Sequence, residues 1–337
     1  MVNERKMEHI RIICDNPEVD RKQYFFDDWH PVHRALPEID FKDIDPSTEF
    51  LGKKLSFPLL ISSMTGGDHE LIQRINRNLA IAAEATGVAM AVGSQRVMFS
   101  DPQSIKSFEL RQYAPHTVLL ANLGAVQLND GFSLKESRES IDVLEANGLF
   151  LHLNPLQEIV QPQGDTNFSN LSSKIALLSS QIDVPILLKE VGCGISPADI
   201  ELGLKAGIRY FDLAGRGGTS WSSIENHRNS QDNIGMFFQD WGIPTPIALK
   251  MARPYCHKAK FIASGGLRNG LDIVKSIILG ASLGGIAAPF LKPAMDSADA
   301  VISMIESIRK QFIISMFLLG TKCVPELHLN TTLLWQK

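Results

Sequence analysis

The segment HLNPLQE, residues 152–158, gathers a histidine, an asparagine, a glutamine and a carboxylate at the end of an apolar run. A lone His152 on such a run reads as a satisfied core or rim residue. With Asn154, Gln157 and Glu158 beside it, ligand binding or proton handling is the better reading. Two glycine-rich stretches, DLAGRGGTSW (212–221) and ASGGLRNG (263–270), could bring backbone N–H groups close to a phosphate, the second at a helix N-terminus that favours an anion. Together with Gly284-Gly285 they point to a phosphate-bearing cofactor; the competing reading is that they only make tight strand-to-helix turns. Lys189 sits among apolar neighbours in LLKEVG, so its charge needs a carboxylate, a phosphate or an electron-rich ring as partner. Cys193 in VGCGIS reads either as a thiol activated by a nearby cation or as a small buried residue opening the next helix. Arg5, Lys6 and His9 would ordinarily form a solvated terminal cluster.

These residues must be held by repeating units. From Phe57 onward, short β-branched apolar runs alternate with amphipathic stretches, the pattern of β-α units around a parallel sheet. Eight runs are legible, at 57–65, 88–94, 117–124, 149–155, 184–192, 209–215, 260–266 and 284–290. Helices are expected between them, among others at 70–86, 133–147, 197–207 and 269–280. Eight strands with following helices predict a closed TIM (β/α)8 barrel, and a doubly wound sheet would have fewer. Polar and glycine residues fall at the C-terminal ends of the runs, where such barrels keep their chemistry. Residues 1–56 read as an N-terminal arm packed on the barrel, 57–320 as the barrel and 321–337 as a C-terminal extension. The long stretch 218–243 reads as a lid. Residues 307–337 lack a clean helix-ending pattern, and are expected to pack on the arm or on a neighbouring subunit.

The 337 residues are 44% hydrophobic and 21% charged, as in a globular enzyme. A net charge of −4 argues against a nucleic-acid-binding surface, so any polyanion handled should be small. The four cysteines are widely spaced and signal neither zinc nor disulfides. With a charged N-terminus and no apolar run long enough to span a membrane, the expectation is a cytoplasmic protein.

The ordered series RKMEHI, MTGG, VGSQR, ANLG, HLNPLQE, KEVG, AGRGGTSW and ASGGLRNG, spread over residues 5–270, resembles the type 2 isopentenyl-diphosphate isomerases. HLNPLQE, MTGG and the N-terminal Arg-Lys-x-x-His carry the specificity. The glycine motifs alone would suit many FMN barrels. The resemblance implies interconversion of isopentenyl and dimethylallyl diphosphate with reduced FMN and Mg²⁺, NADPH as reductant, and a homotetramer or homo-octamer. It implies that Thr65, Gly66, Gly67, Ser94 and Asn122 line the isoalloxazine, with Lys189 near its pyrimidine side. Thr219, Gly265, Arg268, Ala287 and Ala288 would hold the ribityl phosphate. Arg5, Lys6 and His9 would reach the substrate diphosphate, their own or a neighbour's, with Arg96, His152 and Asn154. Glu158 would bind the metal, and Gln157 would lie over the reacting carbons.

The chemistry of these residue types agrees, since cations and one Mg²⁺-binding carboxylate suit a diphosphate. No cysteine, carboxylate pair or His-Asp arrangement is placed in the sequence to move both protons, which leaves that task to the reduced flavin. Three rivals remain. A thiol enzyme of the inosinate dehydrogenase type would use Cys193. A flavin hydroxyacid oxidase would need a His missing from AGRGGTSW, and a barrel that merely binds flavin would leave the anion and metal residues unexplained.

Overall fold

The computed structural model describes residues 2–21, 25–229 and 233–337. Position 1 and residues 22–24 of the expected arm, and residues 230–232 of the expected lid, lie outside them. Eight parallel strands close into a barrel: β1 Leu59–Ile61, β2 Ala89–Ala91, β3 Leu119–Gly124, β4 Gly148–Leu153, β5 Ile186–Glu190, β6 Tyr210–Asp212, β7 Lys260–Ser264 and β8 Leu283–Ile286. β8 pairs back onto β1 through Leu59, Leu60 and Ile61, which completes the ring. All eight expected runs are present. The ladders are shorter than the runs: several stop before the glycine and polar residues of the rim, while β3 keeps Asn122 and Gly124 and β5 keeps Lys189 and Glu190 in the sheet. The eighth run ends early, since Ala288 and Pro289 already belong to a helix that proline can open but a strand interior cannot hold.

The barrel interior is filled by Leu60, Ala89, Val118, Leu120, Phe150, Leu187, Ile262 and Leu283. Phe50 and Leu55, from a hairpin pairing Thr48–Phe50 with Lys53–Leu55, join that cluster and close the bottom. Each of these side chains larger than alanine contributes about 1.5–3 kcal/mol on removal from water. A larger apolar layer lies between the strands and the helices.

The main helices are α1 Val2–Asp15, α2 Glu70–Thr86, α3 Leu134–Leu144, α4 Pro155–Val160, α5 Leu171–Ser179, α6 Pro197–Lys205, α7 Trp221–Arg228, α8 Thr245–Ala252, α9 Gly270–Ile278, α10 Ala288–Asp296 and α11 Ala298–Leu319. Capping explains several boundaries: α3 and α6 open with capping boxes at Ser133 and Ser196, and α2 ends on left-handed Gly87. Against expectation, α11 also ends cleanly, on Gly320 at φ 68°. The chain then returns to the arm, where Leu334–Gln336 pairs antiparallel with Trp29–Pro31. Among the described residues, no helix is long and apolar enough to cross a membrane.

Candidate active site

One cavity opens at the C-terminal ends of the strands, roofed by α1 and α7. Its wall contains Arg5, Lys6, His9, Thr65, Ser94, Arg96, Asn122, His152, Asn154, Gln157, Glu158, Lys189, Thr219, Gly265, Arg268, Ala287 and Ala288. The expected residues therefore converge, with two exceptions. Gly66 and Gly67 lie off the wall: a Cβ at Gly66 would overlap the Phe108 ring, and the Gly67 N–H donates to Ser107 Oγ at 3.1 Å. Their place is a tight packing turn behind Thr65.

Asn122 organises the middle of the barrel. Its Nδ2 donates to the Val92 carbonyl at 3.1 Å and to Ser63 Oγ at 2.9 Å, so its Oδ1 is the atom facing His152 Nδ1 at 2.8 Å. His152 therefore carries its proton on Nδ1, which leaves Nε2 the unprotonated nitrogen of the neutral ring. Burial, then the charges of Lys6, Lys189 and Arg96, push this imidazole down to about 3, so it is neutral at physiological pH.

Beyond β4, Asn154 ties the next turn together, its Nδ2 donating to Gln157 Oε1 at 3.1 Å and Glu158 Oε1 at 2.8 Å. Glu158 also accepts from the Asp165 N–H at 2.8 Å and from Gln161. Gln157 Nε2 donates to Glu225 Oε1 at 2.9 Å, which fixes both ends of its amide. Glu225, fully buried on α7, also faces His9 Nε2 at 3.2 Å and Arg228. Burial opposes its ionisation, but the His9 and Gln157 hydrogen bonds and the Arg228 charge bring it down to about 2.

Arg5 and Lys6 crowd the same mouth. Burial first, then the neighbouring Arg5 charge, lowers Lys6 to about 8, and burial also lowers Arg5. Arg96 reaches Asp165 and Asp130 with its two terminal nitrogens. Arg268 borders the cavity, but its guanidinium is held by Asp27 at 2.6 Å and Asp272 at 3.0 Å. That makes it an anchor between arm and barrel as well as a neighbour of the cradle.

The cradle itself is glycine backbone. The loop at Gly217–Thr219 interlocks with Gly265-Gly266: a Cβ at Gly218 would meet Gly266 N at 2.9 Å, and one at Gly266, where φ is 87°, would meet the Gly217 carbonyl carbon at 2.6 Å. The N-terminus of α10 at Ala287-Ala288 faces the same space. Buried Ser62 Oγ, Thr65 Oγ1, Asn154 Oδ1 and Arg5 Nε find no hydrogen-bond partner within the chain, although all four residues line the cavity. A glycine-backbone cradle, a helix N-terminus and unpartnered polar atoms, three of them able to donate, around a deep barrel mouth fit FMN. Among the described residues no cluster of three or more His, Cys, Asp or Glu could hold a metal by protein ligands alone.

Sequence reasoning missed Glu225, Asp212 and Asp165. The spacing of Glu225 and Arg228 on one helix face was a signal for the first; the others pair with Lys189 and Arg96 across strands and loops, which no local pattern encodes. Cys193 lies off the main cavity, its thiol pushed up to about 12 by burial and then by Glu190. It is not an activated nucleophile, and the thiol reading falls.

The family model of FMN-dependent dehydrogenases matches residues 151–335. In fold, the chain is similar to a flavocytochrome b2 variant, with a TM-score of 0.69 at 18% identity over 97% of this chain and 82% of that one. It is likewise similar to a mandelate oxidase variant, with a TM-score of 0.65 at 15% identity over 99% and 94%. Fold and site thus define an FMN-type (β/α)8 barrel enzyme. The isopentenyl-diphosphate delta-isomerase of Hydrogenovibrio crunogenus is 55% identical over 99% of this chain and 98% of its own length. That of Paracoccus zeaxanthinifaciens is 56% identical over 98% and 97%. The chain belongs to the FMN-dependent type 2 isopentenyl-diphosphate delta-isomerases, and the hydroxyacid-oxidase and mere-binder readings give way.

Proposed function

We propose that this isomerase interconverts isopentenyl diphosphate and dimethylallyl diphosphate with reduced FMN, and with Mg²⁺ held between Glu158 and the substrate diphosphate. The observation that carries the reading is one cavity shared by the crowded cations Arg5 and Lys6, the locked Gln157-Glu158 pair and a glycine phosphate cradle. Thr219, Gly265, Arg268, Ala287 and Ala288 hold the flavin phosphate end, while Thr65, Ser94, Asn122 and Lys189 meet the ring. Arg5, Lys6, His9 and Arg96 clamp the diphosphate, Arg96 by exchanging a carboxylate partner for it. Asn154 orients Glu158, whose carboxylate would hold the metal, and His152, fixed in its neutral form by Asn122, would reach the substrate diphosphate. Gln157, pinned by Asn154 and Glu225, covers the reacting carbons and excludes water. When bound, reduced FMN would supply an electron-rich ring with proton-exchange capacity beside the alkene, able to stabilise developing positive charge.

NADPH is the proposed reductant, the cytoplasm the proposed site of action, and a homotetramer or homo-octamer the proposed assembly. The test is the visible spectrum of purified protein, followed by an anaerobic isomerase assay with dithionite, FMN and MgCl₂. A yellow protein whose turnover needs both reduction and Mg²⁺ is expected. A colourless sample that refuses added FMN, or turnover indifferent to reduction, would end the proposal.

A further inference from the structure

Three neighbouring strands carry a row of ionisable residues in register. His152 of β4 pairs with Lys189 of β5, and Lys189 pairs with Asp212 of β6, so their side chains share the barrel's inner face. Lys189 Nζ donates to Asp212 Oδ2 at 2.6 Å, with side-chain exposures of 8% and 0%. The other carboxylate oxygen accepts from Ser264 Oγ at 2.6 Å and from the Ala214 N–H at 3.3 Å. The ammonium also lies 3.4 Å from Ser264 Oγ and 5.7 Å from the centroid of the Phe150 ring. Lys189 and Ser264 line the cavity, whereas Asp212 stands behind them, outside its wall.

The charges around Lys189 are few. Glu190, next on β5, spends its carboxylate on the backbone N–H groups of Val191, Gly192 and Cys193. His152 is neutral, and Lys6 and Arg96 beyond it are cations. Among the described residues, Asp212 is therefore the carboxylate in hydrogen-bond contact with this buried ammonium. A buried ammonium with no counter-ion favours its neutral form. An oxidised flavin ring, being neutral, offers none; a reduced anionic ring does.

We propose that Asp212 is a positioning residue that acts on the flavin through Lys189: a standing counter-ion that keeps the ammonium charged and aimed at the ring before reduction as well as after it. Negative charge arriving on the ring then meets a cation already in place, and the protein takes up no proton of its own. The proposal rests on the FMN reading given above, with Lys189 beside the pyrimidine edge.

The experiment is a potentiometric titration of the FMN-loaded protein against dithionite over a range of pH around neutrality. It reads the slope of the two-electron midpoint potential, which counts protons taken up per two electrons. Reduction of bound FMN to its anion takes two electrons and one proton, so the wild-type slope should report one proton. In Asp212→Asn the lysine gains its proton only when the ring becomes anionic, and the slope should report two. Adding Lys189→Met to that variant removes the titrating group and should return the count to one. A purely structural role for Asp212 would lower the melting temperature and leave the slope alone. One proton in Asp212→Asn overturns the proposal.

Should Asp212→Asn fail to load FMN, Asp212→Glu carries the test. It keeps the counter-ion but displaces Nζ, so the slope should stay at one proton while the potential shifts at every pH; an unshifted potential overturns the proposal. A wild-type protein that never takes up FMN overturns the cofactor reading instead.

Discussion

Gln157 has an amide whose two ends are both assigned, oxygen to Asn154 and nitrogen to Glu225, so its orientation depends on a carboxylate sixty-eight residues away. Glu225→Gln keeps the shape but loses the charge that holds Arg228 and His9. Turnover should fall by about 10²-fold while the flavin spectrum stays that of the wild type, because misaligned groups over the reacting carbons cost roughly that much; unchanged kcat would remove Glu225 from the site's machinery. Glu158→Gln should raise the Mg²⁺ concentration for half-maximal rate by at least about tenfold, with FMN still bound, and unaltered metal dependence would reject the metal role. The pH dependence follows from Lys6. With its pKa lowered to about 8, it is charged below that value and loses its proton as pH rises through it. KM for the diphosphate should therefore be flat below about pH 8 and climb above it, while Lys6→Arg, which stays protonated, should abolish the climb. A climb that survives in Lys6→Arg would place the titration elsewhere.

At the scale of elements, the cradle depends on two loops passing too close for side chains. Gly266→Ala puts a Cβ 2.6 Å from the Gly217 carbonyl carbon in a residue at φ 87°, so either loop must move. FMN should dissociate at least tenfold more readily, read by flavin fluorescence on ultrafiltration, and wild-type retention would show that the loops tolerate the shift. The eight strands were legible because buried parallel strands need continuous β-branched runs. Their ends were not, since glycine and polar residues at the rim look the same whether they continue the ladder or turn away from it. MTGG shows the limit: the motif is local, but only the Phe108 ring packed against Gly66 puts that glycine behind the wall.

Across the whole molecule, arm and tail are joined to the barrel by ties that cross the sequence. Asp27 pairs with Arg268, Lys275 donates to the Phe26 carbonyl at 2.9 Å, and Arg21 donates to the Gly218 carbonyl at 3.2 Å and the Gly192 carbonyl at 2.9 Å. The last strand then covers Trp29–Pro31 and buries Leu334. Deleting residues 334–337 removes one apolar anchor worth about 2 kcal/mol and should lower Tm by roughly 3 °C. Because α1 lies over the mouth, KM for the substrate should rise with it; a Tm and KM both unmoved would detach the tail from the arm's seating.

Apolar periodicity and glycine punctuation in the chain determined the barrel, its chemically active end and most of the residues that meet there, because each is a local consequence of how a strand or helix must be built. Which carboxylate faces which cation was decided only in three dimensions. Asp212 meets Lys189, Asp165 meets Arg96 and Glu225 meets both Gln157 and His9 across distances at which the chain carries no periodic trace. Charge pairing depends on separation in space, and the closing of the ring, not the order of residues, sets that separation.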